Sequence, residues 1–252
     1  MDYPLIKPRY YRSLFKDIVD FIRKPQDLEH VEKSTRQKVY DTIGLFILKL
    51  AFLIPVSVLI GLIHDPENLT KASMAERFTP MILILVAVII LPTVEEIAFR
   101  LSLKFKPIYF ALSSGVFCYY LLTKAVYQTK ISAVDESFII RISVALGLVV
   151  LLYAILQFAQ IKEFLSRFWE KNFAWIYYIS CLSFAWIHIF SYELNTMNLL
   201  FLPLITLPQL MSGIISGYTR VSFGFQYPLL FHMATNLIAV SISFLPATDV
   251  LF

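Results

Sequence analysis

The chain has 252 residues, of which 58% are hydrophobic and 15% aromatic, while only 16% are charged. Soluble domains carry about 25% charged residues, so this composition excludes a water-soluble globule and predicts a polytopic membrane protein. The net charge of +4 is small, and the placement of Lys and Arg indicates membrane topology and not nucleic-acid binding. Two cysteines, Cys118 and Cys181, lie in apolar segments, so no disulfide framework is expected.

The N-terminal arm, residues 1–40, is polar and charged and contains no secretory signal pattern. Between Arg12 and Arg23 the apolar residues recur at i, i+3 and i+4, which predicts an amphipathic helix that Pro25 ends. We expect this helix to lie in the membrane interface. A helix packed on the protein's own cytosolic face explains the pattern equally well.

Seven apolar segments follow the arm, and each is predicted to span the membrane. Their predicted bounds are 41–63, 80–106, 107–123, 138–160, 173–190, 198–218 and 227–245. A polar loop is expected at 64–79 and a basic, aromatic loop at 161–172, while Pro203 and Pro208 predict a bend in the sixth segment. Lys and Arg concentrate in alternate segments, which places the N-terminus in the cytosol and the C-terminus outside.

The predicted fold is therefore an all-α transmembrane bundle of about seven spans with an N-terminal interfacial helix. Six or eight spans are the alternatives, if the bent segment or the arm has been misassigned.

Three charges, Glu95, Glu96 and Arg100, stand inside the second predicted span, in a stretch that begins at Pro92. One charge at the centre of a membrane helix costs roughly 2.5–3.5 kcal/mol on insertion scales, so three require an explanation. Glu96 and Arg100 share a helix face at i, i+4 and are expected to pair. Glu95 points about 100° away and is left available as a general base. A purely structural ion network between helices is the alternative.

Two of the four histidines, His188 and His232, fall within predicted spans. Phe184 lies one turn before the first, and Asn236 lies one turn after the second, so each pair shares a helix face. The imidazole and amide of the second pair are suited to hold an oxyanion in a dry site. Each histidine alone is explained equally well as a satisfied core residue. Together with the two glutamates, however, they predict one polar pocket, because buried polar groups must converge to be satisfied.

Three motifs in this order resemble those of the CPBP family, the CAAX protease and bacteriocin-processing family of intramembrane endopeptidases: Glu95-Glu96-x-x-x-Arg100, Phe184-x-x-x-His188 and His232-x-x-x-Asn236. The family includes the type II CAAX prenyl endopeptidase, and the resemblance covers about residues 81–244. It implies that the catalytic residues are Glu95, Glu96, His188, His232 and Asn236. It also implies that Arg100 and Phe184 support them.

The resemblance also implies a mechanism. Glu95 and His188 would activate a water, with Glu95 as the general base, and His232 and Asn236 would stabilise the oxyanion. A glutamate with two histidines also resembles zinc ligation with an open position. The sequence contains no HExxH pair, so a metal-independent mechanism without cofactor is expected instead.

Two features depart from the family pattern. Leu101 stands where relatives commonly have Gly, and the separation between Glu96 and His188 is longer than usual by about two spans. The predicted organisation is therefore an N-terminal arm at 1–40 and a membrane-embedded domain at 41–252. Within that domain, the motif-bearing core comprises 81–106 and 173–245, and the inserted span pair comprises 107–160. The inserted pair is expected to line or cover the substrate entrance.

The expected function is an intramembrane endopeptidase of a bacterial inner membrane, with lipid around it and a membrane-associated or lipidated peptide or protein as substrate. One alternative is a non-catalytic binding or bacteriocin self-immunity protein on the same scaffold. Another is a transporter with a glutamate–histidine proton relay, although the sequence has no evident inverted repeat.

Overall fold

The computed structural model describes residues 4–26 and 33–244, which form helices and no strand. After a short 3₁₀ turn at Pro4–Ile6, the α-helices are α1 Pro8–Arg23, α2 Thr35–Ile63, α3 Leu69–Arg77, α4 Pro80–Ile84, α5 Leu91–Phe99, α6 Pro107–Leu121, α7 Phe138–Ile155, α8 Ala159–Lys171, α9 Phe173–Trp186, α10 Thr196–Leu200, α11 Leu202–Ile205, α12 Leu207–Phe223 and α13 Gln226–Ser243. π-helical turns occupy Leu85–Ile90 and Leu122–Val126, and 3₁₀ turns occupy Leu101–Leu103 and Ile187–Ser191.

Within the described residues, four helical stretches are long and apolar enough to cross a membrane: Thr35–Ile63, Pro80–Leu103, Phe138–Ile155 and Phe173–Ser191. The all-helical class is thereby confirmed for the described residues, and these four helices have the length and composition expected of membrane spans. The count of seven spans stays a prediction.

The predicted loop at 161–172 is wrong, because α8 covers most of it. The indole of Trp169 donates a hydrogen bond of 2.9 Å to the carbonyl of Ser102, which holds α8 against the chain after α5. The polar stretch 64–79 likewise contains a helix, α3, whose N-cap Asn68 accepts from the backbone of Lys71. Both stretches are polar and were therefore predicted as loops, although each forms a helix. Helix α8 is packed through Trp169, and helix α3 is capped by Asn68.

The irregularity predicted for the sixth segment is present. Instead of one helix, the segment consists of α10, α11 and α12, with junctions at Phe201 and Thr206. Pro203 and Pro208 are each the second residue of a new helix. N–H groups in the first helical turn have no intrahelical acceptor, so a proline there costs no hydrogen bond.

The main core lies where α9 and α12 pack together. A Cβ added at Gly217 of α12 would stand 2.6 Å from the Tyr177 ring of α9, so the glycine permits this close approach. The Tyr177 hydroxyl also donates to the carbonyl of Ile214 at 2.9 Å. Helix α1 packs on the same core through Leu14 and Phe21, both buried.

Helix α1 is also tied to the start of α2. The buried carboxylate of Asp41 accepts hydrogen bonds from the Tyr10 hydroxyl at 2.5 Å and from the Lys33 ammonium at 2.6 Å. Leu14, Ile18 and Phe21 of α1 are buried against the protein, while Phe15 is exposed. The expected position of the helix in the membrane interface stays a prediction.

Helices α6 and α7, which correspond to the predicted inserted pair, pack closely against each other. A Cβ on Gly115 would meet Val149 at 2.2 Å and the backbone oxygen of Ala145 at 2.9 Å. Helix α6 is also bound to α5, because the Ser113 hydroxyl donates to the carbonyl of Ile97 at 2.7 Å. Helix α6 thus packs beside the helix that carries the carboxylates.

Candidate active site

The helix that carries the carboxylates changes its hydrogen-bond register just before them. The N–H of Leu91 donates to the carbonyl of Val86, five residues back, within the π-helical turn. In that register the next donor would be Pro92, which has no N–H, so the carbonyl of Ala87 lacks a backbone partner. The side-chain amide of Asn236 supplies that partner at 2.8 Å. This hydrogen bond joins α13 to the π-helical turn that precedes α5, next to the site.

His232 of α13 stands between the two glutamates of α5. Its Nδ1 lies 2.9 Å from Oε1 of Glu96, and its Nε2 lies 3.6 Å from Oε2 of Glu95. Glu96 is fully buried and Glu95 is 8% exposed. Nδ1 is thus within hydrogen-bond distance of Glu96, whereas Nε2 lies beyond hydrogen-bond distance of Glu95.

Arg100 follows α5 directly and is buried with Glu96. Its Nε lies 3.7 Å from Oε2 of Glu96, so the ion pair predicted from the i, i+4 spacing is present. Within the part of the chain that the structure describes, its guanidinium nitrogens make no hydrogen bond. The group instead rests on the ring of Phe184, 3.7 Å from the centroid, in a cation–π contact.

Phe184 connects the arginine to both histidines. Its ring meets those of His188 and His232 edge-on, with centroids 4.9 and 5.8 Å away. The Nδ1 of His188 lies 2.7 Å from the carbonyl of Phe184 and donates to it, which leaves Nε2 unprotonated in the neutral ring. His188 is also close enough to Glu95 for the two to interact electrostatically.

The structure therefore gathers the predicted residues as a connected chain of contacts: Glu95, His232, Glu96, Arg100, Phe184 and His188. Asn236 is the exception, since it joins the site through the backbone of Ala87. His232 and Asn236 were expected to direct their donors at one oxyanion, but in the structure each of them contacts a different protein group. One amide hydrogen of Asn236 and Nδ1 of His232 are already engaged, which leaves the second amide hydrogen and Nε2.

Two further residues belong to the site. The hydroxyl of Tyr120, on α6, donates to Oε1 of Glu95 at 3.2 Å in a buried contact. Lys49, on α2, is 1% exposed and donates to the hydroxyl of Thr235 at 2.7 Å. It also interacts electrostatically with Glu96. A lysine inside a predicted span was a usable signal, because such a charge needs a partner; a tyrosine in a span gives no such signal.

Two basic side chains accompany the two carboxylates. Arg100 pairs with Glu96, and Lys49 is buried nearby, so positive groups are available to offset the buried negative charge. Among residues 4–26 and 33–244, no group of three or more His, Cys, Asp or Glu side chains is placed to hold a metal ion. The metal-independent mechanism stays a prediction.

Chemically, the cluster combines a carboxylate of limited exposure, a neighbouring imidazole with a free nitrogen and several donors. A base, a water-holding group and anion-stabilising donors are the parts that hydrolysis of an acyl bond needs. Comparison of the chain with protein-family models, with curated proteins and with solved structures gave no match.

Proposed function

We propose that this protein is an intramembrane endopeptidase of the CPBP type that hydrolyses a peptide bond with a water activated by Glu95 and His188. The observation that carries the proposal is the contact of His232 with both glutamates across α5 and α13, beside His188. These side chains come from distant parts of the sequence, and they are those of the three motifs that resemble the family's.

In the proposed reaction, His188 holds the water through its free Nε2 and Glu95 accepts a proton from it. The hydroxide forms a bond to the carbonyl carbon, and the negative charge moves to the carbonyl oxygen. His232 and the second amide hydrogen of Asn236 stabilise that oxyanion. When the C–N bond breaks, the protonated Glu95 returns its proton to the leaving nitrogen.

We also propose the seven-span topology with a cytosolic N-terminus. Its support lies in contacts between loops that seven crossings would place on one side. Arg77 after the first span reaches Ser132 after the third at 3.5 Å, and His64 lies 2.6 Å from Asn198 before the sixth. The Trp169–Ser102 bond joins two segments that the same count assigns to the opposite side.

The substrate class follows from the surroundings of the site. Glu95 and His232 are only slightly exposed, and the helices around them carry exposed apolar side chains such as Ile89 and Ile90. A peptide that reaches the site must therefore tolerate an apolar environment. We propose a membrane-associated or lipidated peptide, or a segment of a membrane protein.

The test is cleavage of a peptide library by purified protein. Wild type is expected to cleave a subset of peptides, while Glu95→Gln and His188→Ala lose at least about 100-fold in rate, as is usual when a general base or its partner is removed. Glu163→Gln serves as the matched control, because Glu163 is exposed on α8. Equal cleavage by wild type and Glu95→Gln would refute the proposal.

The mechanism is tested in the same assay with a chelator. Full activity after treatment with 1,10-phenanthroline is expected for the glutamate mechanism. A loss that zinc restores would instead assign Glu95, His188 and His232 to a metal site.

A non-catalytic binding or self-immunity role is the second candidate, and one contact favours it. The Asn236 amide is bound to Ala87, so the oxyanion donors are only partly available in this state. A protection phenotype that Glu95→Gln retains in full would support binding without turnover.

A further inference from the structure

We propose that Tyr120 is a positioning residue, through which the inserted helix pair holds Glu95 in the orientation needed to take a proton from water. The inference rests on the proposed function and adds a residue outside the three motifs. Through Tyr120, the inserted pair contributes a residue to the working site.

The first observation is that each oxygen of Glu95 faces a different helix. Oε1 accepts from the Tyr120 hydroxyl of α6 at 3.2 Å, and Oε2 lies 3.6 Å from Nε2 of His232 on α13. The Tyr120 hydroxyl fixes one oxygen of a carboxylate that otherwise has a broad torsion about its last bond, while Oε2 lies beyond hydrogen-bond distance of His232. Among the described residues, Tyr120 is therefore the side chain whose hydrogen bond sets the orientation of Glu95.

The second observation is that the ring of Tyr120 is itself held in place. Tyr120 is 7% exposed and belongs to a buried apolar cluster with Phe99 and Phe184. Ring centroids of Phe99 and Tyr120 lie 6.4 Å apart at 70°. Ile131, from the loop between α6 and α7, packs on the same cluster. The hydroxyl therefore has a defined direction, as a positioning donor requires.

Four groups act on Glu95 from the elements around it. Tyr120 comes from α6, Lys124 from the π-helical turn that follows, His188 from the 3₁₀ turn after α9 and His232 from α13. Tyr120 is the neutral donor of this set. Its removal therefore changes the support of Glu95 without altering the charge of the site, which makes its contribution separable.

The first experiment needs no turnover. A hydrophobic carbodiimide reacts with the protonated form of a membrane carboxyl, and mass spectrometry quantifies the modification of Glu95 across a pH series. In Tyr120→Phe the ionised carboxylate loses a donor, so labelling is expected to extend about one pH unit higher than in wild type. Tyr119→Phe is the neighbouring control, because the Tyr119 hydroxyl donates to the carbonyl of Ile131 and accepts from Arg141 instead of contacting Glu95.

The second experiment measures peptide cleavage by the same variants. Tyr120→Phe is expected to lower kcat about tenfold with little change in KM, whereas Tyr119→Phe keeps the wild-type values. Should Tyr120→Phe fail to fold, 3-fluorotyrosine at this position keeps the ring and strengthens the donor. It is then expected to move the labelling midpoint to lower pH.

The outcomes distinguish the two proposals. Loss of cleavage in Glu95→Gln, with labelling and kcat unchanged in Tyr120→Phe, overturns the role of Tyr120 and leaves the endopeptidase proposal intact. Equal cleavage by wild type and Glu95→Gln refutes the endopeptidase proposal, and the positioning role falls with it.

Discussion

At the scale of single residues, Glu96 is the point at which the charges of the site meet. It is fully buried, His232 binds one of its oxygens, and Arg100 lies beside the other. A buried charge that keeps its partner adds little to stability, but one that loses its partner is strongly unfavourable. The balance between Glu96 and Arg100 should therefore dominate the stability of this region.

Removal of Arg100 tests that balance. Arg100→Met is expected to lower the free energy of unfolding by about 3–5 kcal/mol, because it leaves Glu96 charged and without its cation. Reversible unfolding in mixed detergent micelles measures this difference. The double variant Glu96→Gln/Arg100→Met should regain most of the loss, and equal destabilisation of the single and double variants would contradict the explanation.

A second residue-scale prediction concerns acid. Hydrogen bonds from Ser137 and Thr129, with Arg141 adjacent, lower the pKa of Asp135 from 3.8 to about 2. A carboxylate with a lowered folded pKa stabilises the fold above its ordinary pKa, and that contribution disappears as the pH falls toward the folded value.

Wild type should therefore lose stability between about pH 4 and pH 2 through this loop. Thermal unfolding of Asp135→Asn, compared with wild type at pH 6 and pH 2.5, measures the effect. The variant should be the less stable at pH 6, and the difference should shrink at pH 2.5. A constant difference at both values would show that the loop does not depend on this ionisation.

The residue scale also shows what sequence reasoning can reach. The Glu96–Arg100 pair and the Phe184–His188 contact each lie one helical turn apart, so helical periodicity alone predicts them. The contact of Tyr120 with Glu95 joins two helices, and no local pattern encodes it. For Asn236 the face was predictable, but its partner was not, because the free carbonyl of Ala87 arises from a change in hydrogen-bond register.

At the scale of elements, the tight packing of α6 on α7 depends on one glycine. A Cβ at Gly115 would meet the branched side chain of Val149 and the backbone of Ala145, neither of which can move freely. Gly147 on α7 has no heavy atom within 4 Å of such a Cβ, so it lies in open space. The two glycines therefore differ in structural role although both are helical.

Alanine at each position measures that difference. Gly115→Ala is expected to destabilise the protein by about 1–3 kcal/mol through overpacking. Gly147→Ala should instead leave stability unchanged or raise it by up to about 1 kcal/mol, since alanine is the better helix former. Unfolding in mixed micelles compares them, and similar effects at both positions would rule out a special role for Gly115.

Helices were predicted correctly where the hydrophobic composition and the positions of prolines indicate the same boundaries. Apolar runs with proline at their starts gave α6, and clustered prolines gave the broken α10–α12 segment. It failed at α8, where polar and aromatic residues were interpreted as a loop. The π-helical turn at Leu85–Ile90 was also missed, since it depends on which carbonyl pairs with which N–H and not on hydropathy.

At the scale of the whole molecule, the contacts between loops bear on topology. Helix α3 meets the loop between α6 and α7, where the Lys130 ammonium donates to the Ser73 hydroxyl. At the other end, Arg220 of α12 donates to the carbonyls of Arg100 and Leu101. The two sets of contacts join the segments that the charge bias groups together, one set on each side of the membrane, which agrees with the proposed topology.

Cysteine labelling in intact cells tests this assignment. In a background with both native cysteines replaced by alanine, single cysteines at three exposed glutamates serve as probes: Glu67→Cys, Glu136→Cys and Glu163→Cys. The first two should react with an impermeant maleimide from outside, and the third only after permeabilisation. Labelling of Glu136→Cys and Glu163→Cys from one side would exclude a crossing by α7.

The register change at Leu85–Ile90 has a consequence for how this helix tolerates length changes. A π turn contains one residue more than an α turn, so it acts as a one-residue insertion that the helix absorbs locally. Deleting one residue there would restore the α register and rotate α4 by about 100° relative to Glu95 and Glu96. It would also give Ala87 a different hydrogen-bond neighbour and release Asn236 from it. The extra residue of the π turn therefore sets how α4 is rotated relative to the carboxylates of α5. A change in this turn would alter the exposed side of α4 without altering the sequence of α5.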